Sequence, residues 1–472
     1  MKISQSRIQK IMKRTLSLVL MCICLQQFVT AQQYVPQYFA KQEMEQDLVF
    51  LHQKLANVHP KFLNKDFAKE WQTKYDLLFG HLSDSISKVE SFVALSKLLS
   101  EVDDDHTALY FPYSTRINYM KNGGLSMPFS IRVRNNKLYI NEYFAEQAVN
   151  GIAGAELLSI NSIDSKQLLH DVRVLAGNKN GTSGDKSVER LFAMCYWMLY
   201  GETKQYELKI AGFNSAVLCK AVTNDKYFQL KNKFYPPKEE KSFGLQFSEN
   251  NEFACLKIAS FYDTEKLASF LSHAFDSIQE NKCGKLIIDV SDNPGGRSSS
   301  VDSLLNYLTS KPYSQYSSIS VRPSLELKSK YKKSKPDFYK LIADIPVDSL
   351  YRITDSLLIQ IPRKTNSPFT GKVFVLVNGR SNSAAATFAG AVKRYHLGQI
   401  IGEPTGGTIK YYGDFLTFTL PCSGLKFVVS AKEFVQYGNR KLTEGVLPDF
   451  ILAAQNAELS EIIFLLKNTI NN

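Results

Sequence analysis

"GKVFVLVNGRSNSAAATFAG", residues 371–390, decides how this chain folds. Its first half is an unbroken apolar run from Val373 to Val377, bounded by Gly371 and by Asn378-Gly379. A short run without polar alternation reads as a strand buried on both faces, and Asn-Gly reads as the turn that ends it. After the turn come Ser381 and Ser383, then little but small or apolar side chains, as on a helix packed close to a sheet. Ser383 thus opens the helix, where the first backbone N–H groups have no intrahelical partner and the helix dipole is positive. A serine there can attack a carbonyl while the Ala384 N–H donates to the developing oxyanion. The competing reading is a plain N-cap serine. Its usual reciprocal partner is missing, because the residue three beyond Ser383 is Ala386, not Glu or Gln. Ser381 is the rival serine and fits the turn better.

The same grammar extends on both sides. "FACLKIASF" (253–261) and "KLIIDVSD" (285–292) read as strands, 263–281 and "SSVDSLLNYLTS" (299–310) as helices, and "GQIIGE" (398–403) as a short strand. Apolar strands alternating with helices predict an α/β core with a largely parallel sheet covered on both faces. "DFLTFTLPCSGLKFVVSAKEF" (414–434) predicts a β-hairpin about Cys-Ser-Gly. The basic run "KSKYKKSKPDFYK" (328–340) reads as a solvated loop or helix face.

Upstream, residues 38–104 read as helical. "KQEMEQDLVFLHQKLANVHP" (41–60) has helical apolar spacing and stops at a proline; "DFAKEWQTKYDLLFGHL" (66–82) and "SKVESFVALSKLLSEV" (87–102) repeat it, with Asp66 and Ser87 as N-caps. "PFSIRVRNNKLYINEYF" (128–144) alternates about Asn-Asn as a hairpin does, and "GIAGAELLSINSIDSKQLLHDV" (151–172) reads turn, strand, turn, helix. "FYPPKEEK" (234–241) reads as a linker.

The chain has 472 residues, enough for two or three domains, with 44% hydrophobic and 22% charged residues as in globular proteins. Of its net charge of +12, five charges lie on Lys2, Arg7, Lys10, Lys13 and Arg14, leaving +7 for everything beyond residue 31. No aromatic-basic stripe or zinc-like spacing joins that mild excess, so no nucleic-acid partner is expected. The five basic residues precede "LSLVLMCICL" (16–25), too short to span a bilayer, and Val29 and Ala31 form a small-residue cleavage pattern before Gln32. Residues 1–31 are therefore expected to be a cleavable signal peptide, with periplasmic or extracellular export and no stable membrane span afterwards; the alternative is an uncleaved anchor. Cys195, Cys219, Cys255, Cys283 and Cys422 are odd in number and widely spaced, as buried free thiols would be.

Two further stretches carry chemistry. "LIIDVSDNPGG" (286–296) is a buried strand ending in glycines, which permit positive φ and close backbone approach. It holds neither GxGxxG nor GxxxxGK[ST], so a phosphate loop is excluded. Beside Ser383, the Gly295 and Gly296 amides would supply the other half of an oxyanion hole; the plain alternative is a tight strand-to-helix turn. In "EVDDDHTALYF" (101–111), His106 follows three acids where the helical region gives way to strands.

Together these stretches resemble the tail-specific, or C-terminal processing, serine peptidases of family S41. "DDHTAL" is similar to the family's Asp-Gly-His-Thr segment and "IAGAELLSINS" to a strand of its PDZ-like domain. "LIIDVSDNPGG" is similar to its Leu-Arg-Asn-Asn-Pro-Gly-Gly turn, "RSNSAAATFAGAVK" to its nucleophile helix, "IIGEPTGG" to the strand that follows, and "LTEGVLPDF" to its closing Gly-Val-x-Pro-Asp. One branch of the family uses a Ser/Lys dyad with the lysine 25 residues after the serine; that position here is Thr408, and Lys410 lies two further on. The tricorn-like branch uses a histidine where His106 lies and a glutamate near the C-terminal end, and this sequence suits that branch. Asp105, Ala386 and Ser291 depart from the residues usual at their positions.

The resemblance implies a ClpP/crotonase-like catalytic core over 236–472, an N-terminal helical domain over 32–112, and a PDZ-like β-rich module over 113–235. It implies an exported serine peptidase acting on peptides or proteins without metal or cofactor. Ser383 would be the nucleophile, His106 the general base, and Gly295 and Ala384 oxyanion donors. Glu444 would orient the histidine, with Glu403 and Asp414 as rivals. The alternative is a catalytically inactive protein that binds extended peptides in the PDZ-like groove. A crotonase-type thioester enzyme is a third reading, disfavoured by the export signal.

Overall fold

Strand Lys372–Val377 lies inside a six-stranded sheet whose order is 243–247, 253–258, 285–289, 372–377, 399–402, 450–451. Only the first pairing is antiparallel; the other four are parallel. The computed structural model describes residues 34–177, 185–235, 241–353, 355–362, 368–438, 441–452 and 458–470. The expected signal segment 1–31 and positions 236–240 of the expected linker lie outside these residues.

The unbroken apolar runs are explained by covering on both sides. Val373, Val375 and Val377 point to one face, with Leu286, Ile288, Ala254, Leu256 and Ile258, under helices Thr264–Glu280, Ser298–Leu305 and Ala384–Arg394. Phe374 and Leu376 point to the other, with Ile287, Phe253 and Ile401, under Ile462 and Leu466 of helix Leu459–Ile470. Each such side chain contributes about 1.5–3 kcal/mol by leaving water.

The expected hairpin is present as strands Lys410–Thr419 and Lys426–Gln436, closed by Leu420 N–H donating to Leu425 O at 2.8 Å, with Gly424 at φ +66°. It belongs to a second, four-stranded antiparallel sheet that also contains Tyr316–Val321 and Tyr351–Ile353. Those two strands carry no clean alternation and were not expected. The basic run forms helices Leu325–Ser334 and Pro336–Ile342 and is not simply solvated. Tyr331 is fully buried, and Lys330 and Lys335 approach Asp414 at 3.8 and 3.6 Å.

At the N-terminal end, helices Lys41–Val58, Lys65–Gly80 and Lys88–Ser100 follow the expected pattern. Ser87 and Glu90 form the capping box. The middle helix begins earlier than expected, because Asn64, not Asp66, is its cap; Asn64 Oδ1 accepts from Asp66 N and Phe67 N at 3.0 and 3.1 Å. Strands Phe129–Arg134 and Lys137–Tyr143 pair about Asn135 and Asn136, both at positive φ as a tight hairpin turn requires. They continue into an antiparallel sheet through Glu156–Ile160, Gln205–Ile210 and Val217–Lys220. Helix Asp185–Tyr200 packs beside this sheet. All five cysteines from Cys195 on are free; four are buried and Cys422 is partly exposed.

Two joints bring distant segments to one place. Residues 108–110 run beside the hairpin, with Val428 N donating to Ala108 O and Tyr110 N to Lys426 O at 2.9 and 2.8 Å. The Asp47 carboxylate caps the hairpin turn, accepting from Cys422 N and Ser423 N. His106 is thereby carried to the strand that leads away from the core.

Candidate active site

The chain leaves Val377 through a turn tied on both sides. Asn378 N donates to Ser381 Oγ, and that hydroxyl donates to Val290 O at 2.8 Å, fully buried. Ser381 is committed to holding two strand ends together. Arg380 reaches across to Glu189 on helix Asp185–Tyr200. Ser383 then adopts φ +48°, ψ −118°, glycine territory that costs a side-chain-bearing residue about 1–3 kcal/mol. Its hydroxyl makes no cap hydrogen bond. Asn382 O accepts from Ala385 N, and Ser383 O accepts from Thr387 N and Thr387 Oγ1; among the described residues no hydrogen bond uses the Ala384 N–H.

The glycine turn lies directly against this serine. A Cβ on Gly295 would come within 2.7 Å of both Ser383 Cβ and Asn382 O. Buried Asn293 shapes the turn: its Nδ2 donates to Ile258 O, its backbone carbonyl accepts from Asn382 N, and its Oδ1 accepts from Gly295 N at 2.8 Å. This corrects the expectation for Gly295. Its N–H is given to the Asn293 side chain and is not an open oxyanion donor. Gly296 sits at φ +146° against Phe261, and the bonds there use Gly295 O and Arg297 N, leaving the Gly296 N–H aside. Gly407 closes the other side, donating to Ser381 O at 3.2 Å.

His106 is about one-third exposed, and its ring packs against Tyr411 with centroids 6.0 Å apart. The Tyr411 hydroxyl interacts with Thr387, one turn beyond Ser383, and lies 3.5 Å from the Tyr316 hydroxyl. Burial, then the Tyr316 neighbour, push the Tyr411 hydroxyl well above its ordinary value, so it stays protonated. Tyr411 is the link between His106 and the serine helix. Among the described residues no hydrogen bond joins His106 to Ser383.

The carboxylate beside His106 is Asp104. Asp104 Oδ1 accepts from His106 N at 3.0 Å and lies 3.8 Å from His106 Nδ1. Asp104 Oδ2 accepts from Thr107 Oγ1 at 2.6 Å and meets His59 Nε2 at 3.1 Å. Burial alone would raise the Asp104 pKa. The hydrogen bond that His59 donates, with the attraction of the neighbouring His59 and His106 rings, outweighs it and holds the carboxyl well below the usual range. His59 is fully buried and gave no signal in the sequence beyond the proline that ends its helix. Among the described residues no group of three or more His, Cys, Asp or Glu is arranged to hold a metal ion.

The remaining candidates are engaged as follows. Glu444 is 40% exposed and pairs with Lys441 at 2.9 Å; among the described residues no hydrogen bond joins it to His106. Asp414 is held by Lys432 at 2.8 Å and by the Tyr331 hydroxyl. Glu403 donates its backbone N–H to Val377 O. Lys410 pairs with Glu433 at 2.8 Å, and Thr408 bonds the Lys410 carbonyl.

Residues 252–452 match the sequence model of Peptidase family S41. The crystal structure of mature CPAF is similar over 91% of this chain and 96% of its own, at 14% identity and a TM-score of 0.62. That of mature CPAF complexed with lactacystin is similar over 91% and 98%, at 14% identity and a TM-score of 0.59. At such identity the likeness is one of fold. No curated protein sequence matches the chain. Residues 252–452 thus match peptidase family S41, whose members are hydrolases of peptides and proteins, and the chain shares a mixed α/β fold with these proteases.

Proposed function

We propose that the protein is an exported serine peptidase in which Ser383 is the nucleophile and His106 the general base. The observation that carries this reading is Ser383 itself. It is held at positive φ with no side-chain cap hydrogen bond, with an Ala384 N–H behind it that no described residue accepts, and a glycine turn against its Cβ. Strain retained at one residue while the turn around it is tied by hydrogen bonds marks a site shaped for chemistry.

In this mechanism Ser383 Oγ attacks the scissile carbonyl carbon as His106 takes its proton, and the carbonyl oxygen becomes an oxyanion held by the Ala384 and Gly296 N–H groups. The C–N bond breaks as His106 returns the proton to the amine. Water then attacks the acyl-enzyme, giving its proton to His106 and thence to Ser383, and the acid is released. The family supports peptide or protein substrates.

The architecture belongs to the same proposal. Residues 1–31 form a cleaved signal peptide, 32–112 a helical domain that delivers His106, 113–235 a PDZ-like module, and 236–472 a ClpP/crotonase-like core. The antiparallel sheet from 129 to 220, beside helix Asp185–Tyr200, supports the module. The parallel sheet covered on both faces supports the core. Labelling with a fluorophosphonate, compared in wild type, Ser383→Ala and His106→Ala, tests the reading: label on Ser383 that needs His106 supports it, and a fully folded protein that takes no label makes it a binding protein instead.

A further inference from the structure

We infer that the carboxylate serving His106 is Asp104, not Glu444, and that buried His59 is a positioning residue that holds that carboxylate in place. The inference rests on the serine-peptidase reading and names the part of it that the family resemblance would place at the C-terminal end.

The argument begins with which atoms can donate. Lys61 N–H donates to His59 Nδ1 at 3.1 Å, and a backbone amide can only donate. Nδ1 therefore has no proton, the ring proton sits on Nε2, and it points at Asp104 Oδ2, 3.1 Å away. Both ring nitrogens of a fully buried imidazole are thereby satisfied. The ring has no freedom to choose another partner. Arg322 Nη1 bonds the His59 carbonyl at 2.9 Å, and the rings of Tyr412 and Phe62 pack against it at 4.7 and 6.3 Å.

Asp104 is fixed from the other side as well. Its Oδ2 takes the Thr107 hydroxyl, and its Oδ1 takes the His106 backbone N–H. Oδ1 also lies 3.8 Å from His106 Nδ1. A small rotation of the one-third-exposed His106 ring closes that gap into a hydrogen bond. It would place the His106 proton on Nδ1, leave Nε2 as the base, and oppose the positive charge that forms when Nε2 accepts the Ser383 proton. A buried carboxylate with its other lone pairs filled is suited to this, since it needs no reorganisation as the charge appears. Glu444, 40% exposed and paired with Lys441, is a screened surface group by comparison.

A purely structural role for Asp104, as the side chain that closes the turn onto His106 N, predicts a different outcome, and the kinetics of fluorophosphonate labelling separate the two. The labelled fraction reports how much protein is folded; the second-order rate constant reports how well the serine is activated. In the full chain, Asp104→Asn should lower the rate constant by about 10²–10⁴-fold, as when the carboxylate behind a catalytic histidine is removed, with the labelled fraction kept. His59→Phe, which keeps a ring but donates nothing, should lower the rate constant about tenfold or more, and His59→Gln, whose amide still donates, should recover most of it. The inference is overturned if Asp104→Asn and His59→Phe lower only the labelled fraction, or if Glu444→Gln produces the loss in rate constant and Asp104→Asn does not. Failure of the parent reading looks different: Ser383→Ala or His106→Ala would then label as wild type does.

Discussion

Gly295 and Ser383 are packed so closely that a methyl group on the first would lie 2.7 Å from Cβ of the second. Gly295 also has φ +98°, so a side chain there is strained by its own backbone before it meets its neighbour. Gly295→Ala should therefore push the serine turn aside. We expect a stability loss of about 1–3 kcal/mol and a fall in fluorophosphonate labelling rate of about 10²-fold, read by thermal unfolding and labelling kinetics. A fully active Gly295→Ala protein would mean that the two turns are not in contact.

Ser383 itself tests whether strain is stored at the site. Both Ser383→Ala and Ser383→Gly remove the hydroxyl and should lower hydrolysis by at least ~10³-fold. Only the glycine can relax at φ +48°. Thermal unfolding should find Ser383→Gly more stable than Ser383→Ala by about 1 kcal/mol, the strain relieved less the backbone entropy that glycine loses. Equal stability would show that the turn is unstrained.

How much of this was legible in sequence depends on what fixed each part. The strands around 253–258, 285–289 and 372–377 were readable because burial on both faces leaves no room for polar residues. The place of Ser383 at the start of its helix was readable because a turn signal precedes it and small, apolar residues follow. The strand Tyr316–Val321 was not, since "YSSISV" mixes small polar and apolar residues. The role of the Gly295 N–H was not, because a bond from Asn293 two residues away is a matter of turn geometry. His59 was least legible of all: it lies 45 residues from Asp104, and only the fold brings them together.

Asp104 should leave a signature in acid. Its folded pKa is depressed, so the stability it contributes is fully present above the unfolded carboxylate value near ~3.9 and is lost as pH falls toward the lower folded value. Asp104→Asn lacks this term. Denaturant unfolding from pH 7 to pH 2 should show the gap between wild type and Asp104→Asn constant above about pH 5 and narrowing below about pH 4. A gap that widens in acid would mean that the carboxyl is protonated in the folded protein.

Lys410 is the base that the other branch of the family would suggest, and its ammonium is engaged with Glu433 at 2.8 Å. A half-exposed pair of this kind contributes little, so Lys410→Met should retain hydrolysis to within about twofold and lose at most ~1 kcal/mol of stability. A dead Lys410→Met enzyme of normal stability would move the general base to the lysine.

The central claim is that Ser383 is activated by His106. The most direct measurement is fluorophosphonate labelling of the full chain, with the modified residue mapped by mass spectrometry and the rate compared in wild type, His106→Ala and Lys410→Met. The account predicts a single adduct on Ser383, formed at least ~10³-fold more slowly in His106→Ala and at an essentially unchanged rate in Lys410→Met. An adduct on Ser381, or a Ser383 adduct formed at the wild-type rate in His106→Ala, would contradict it.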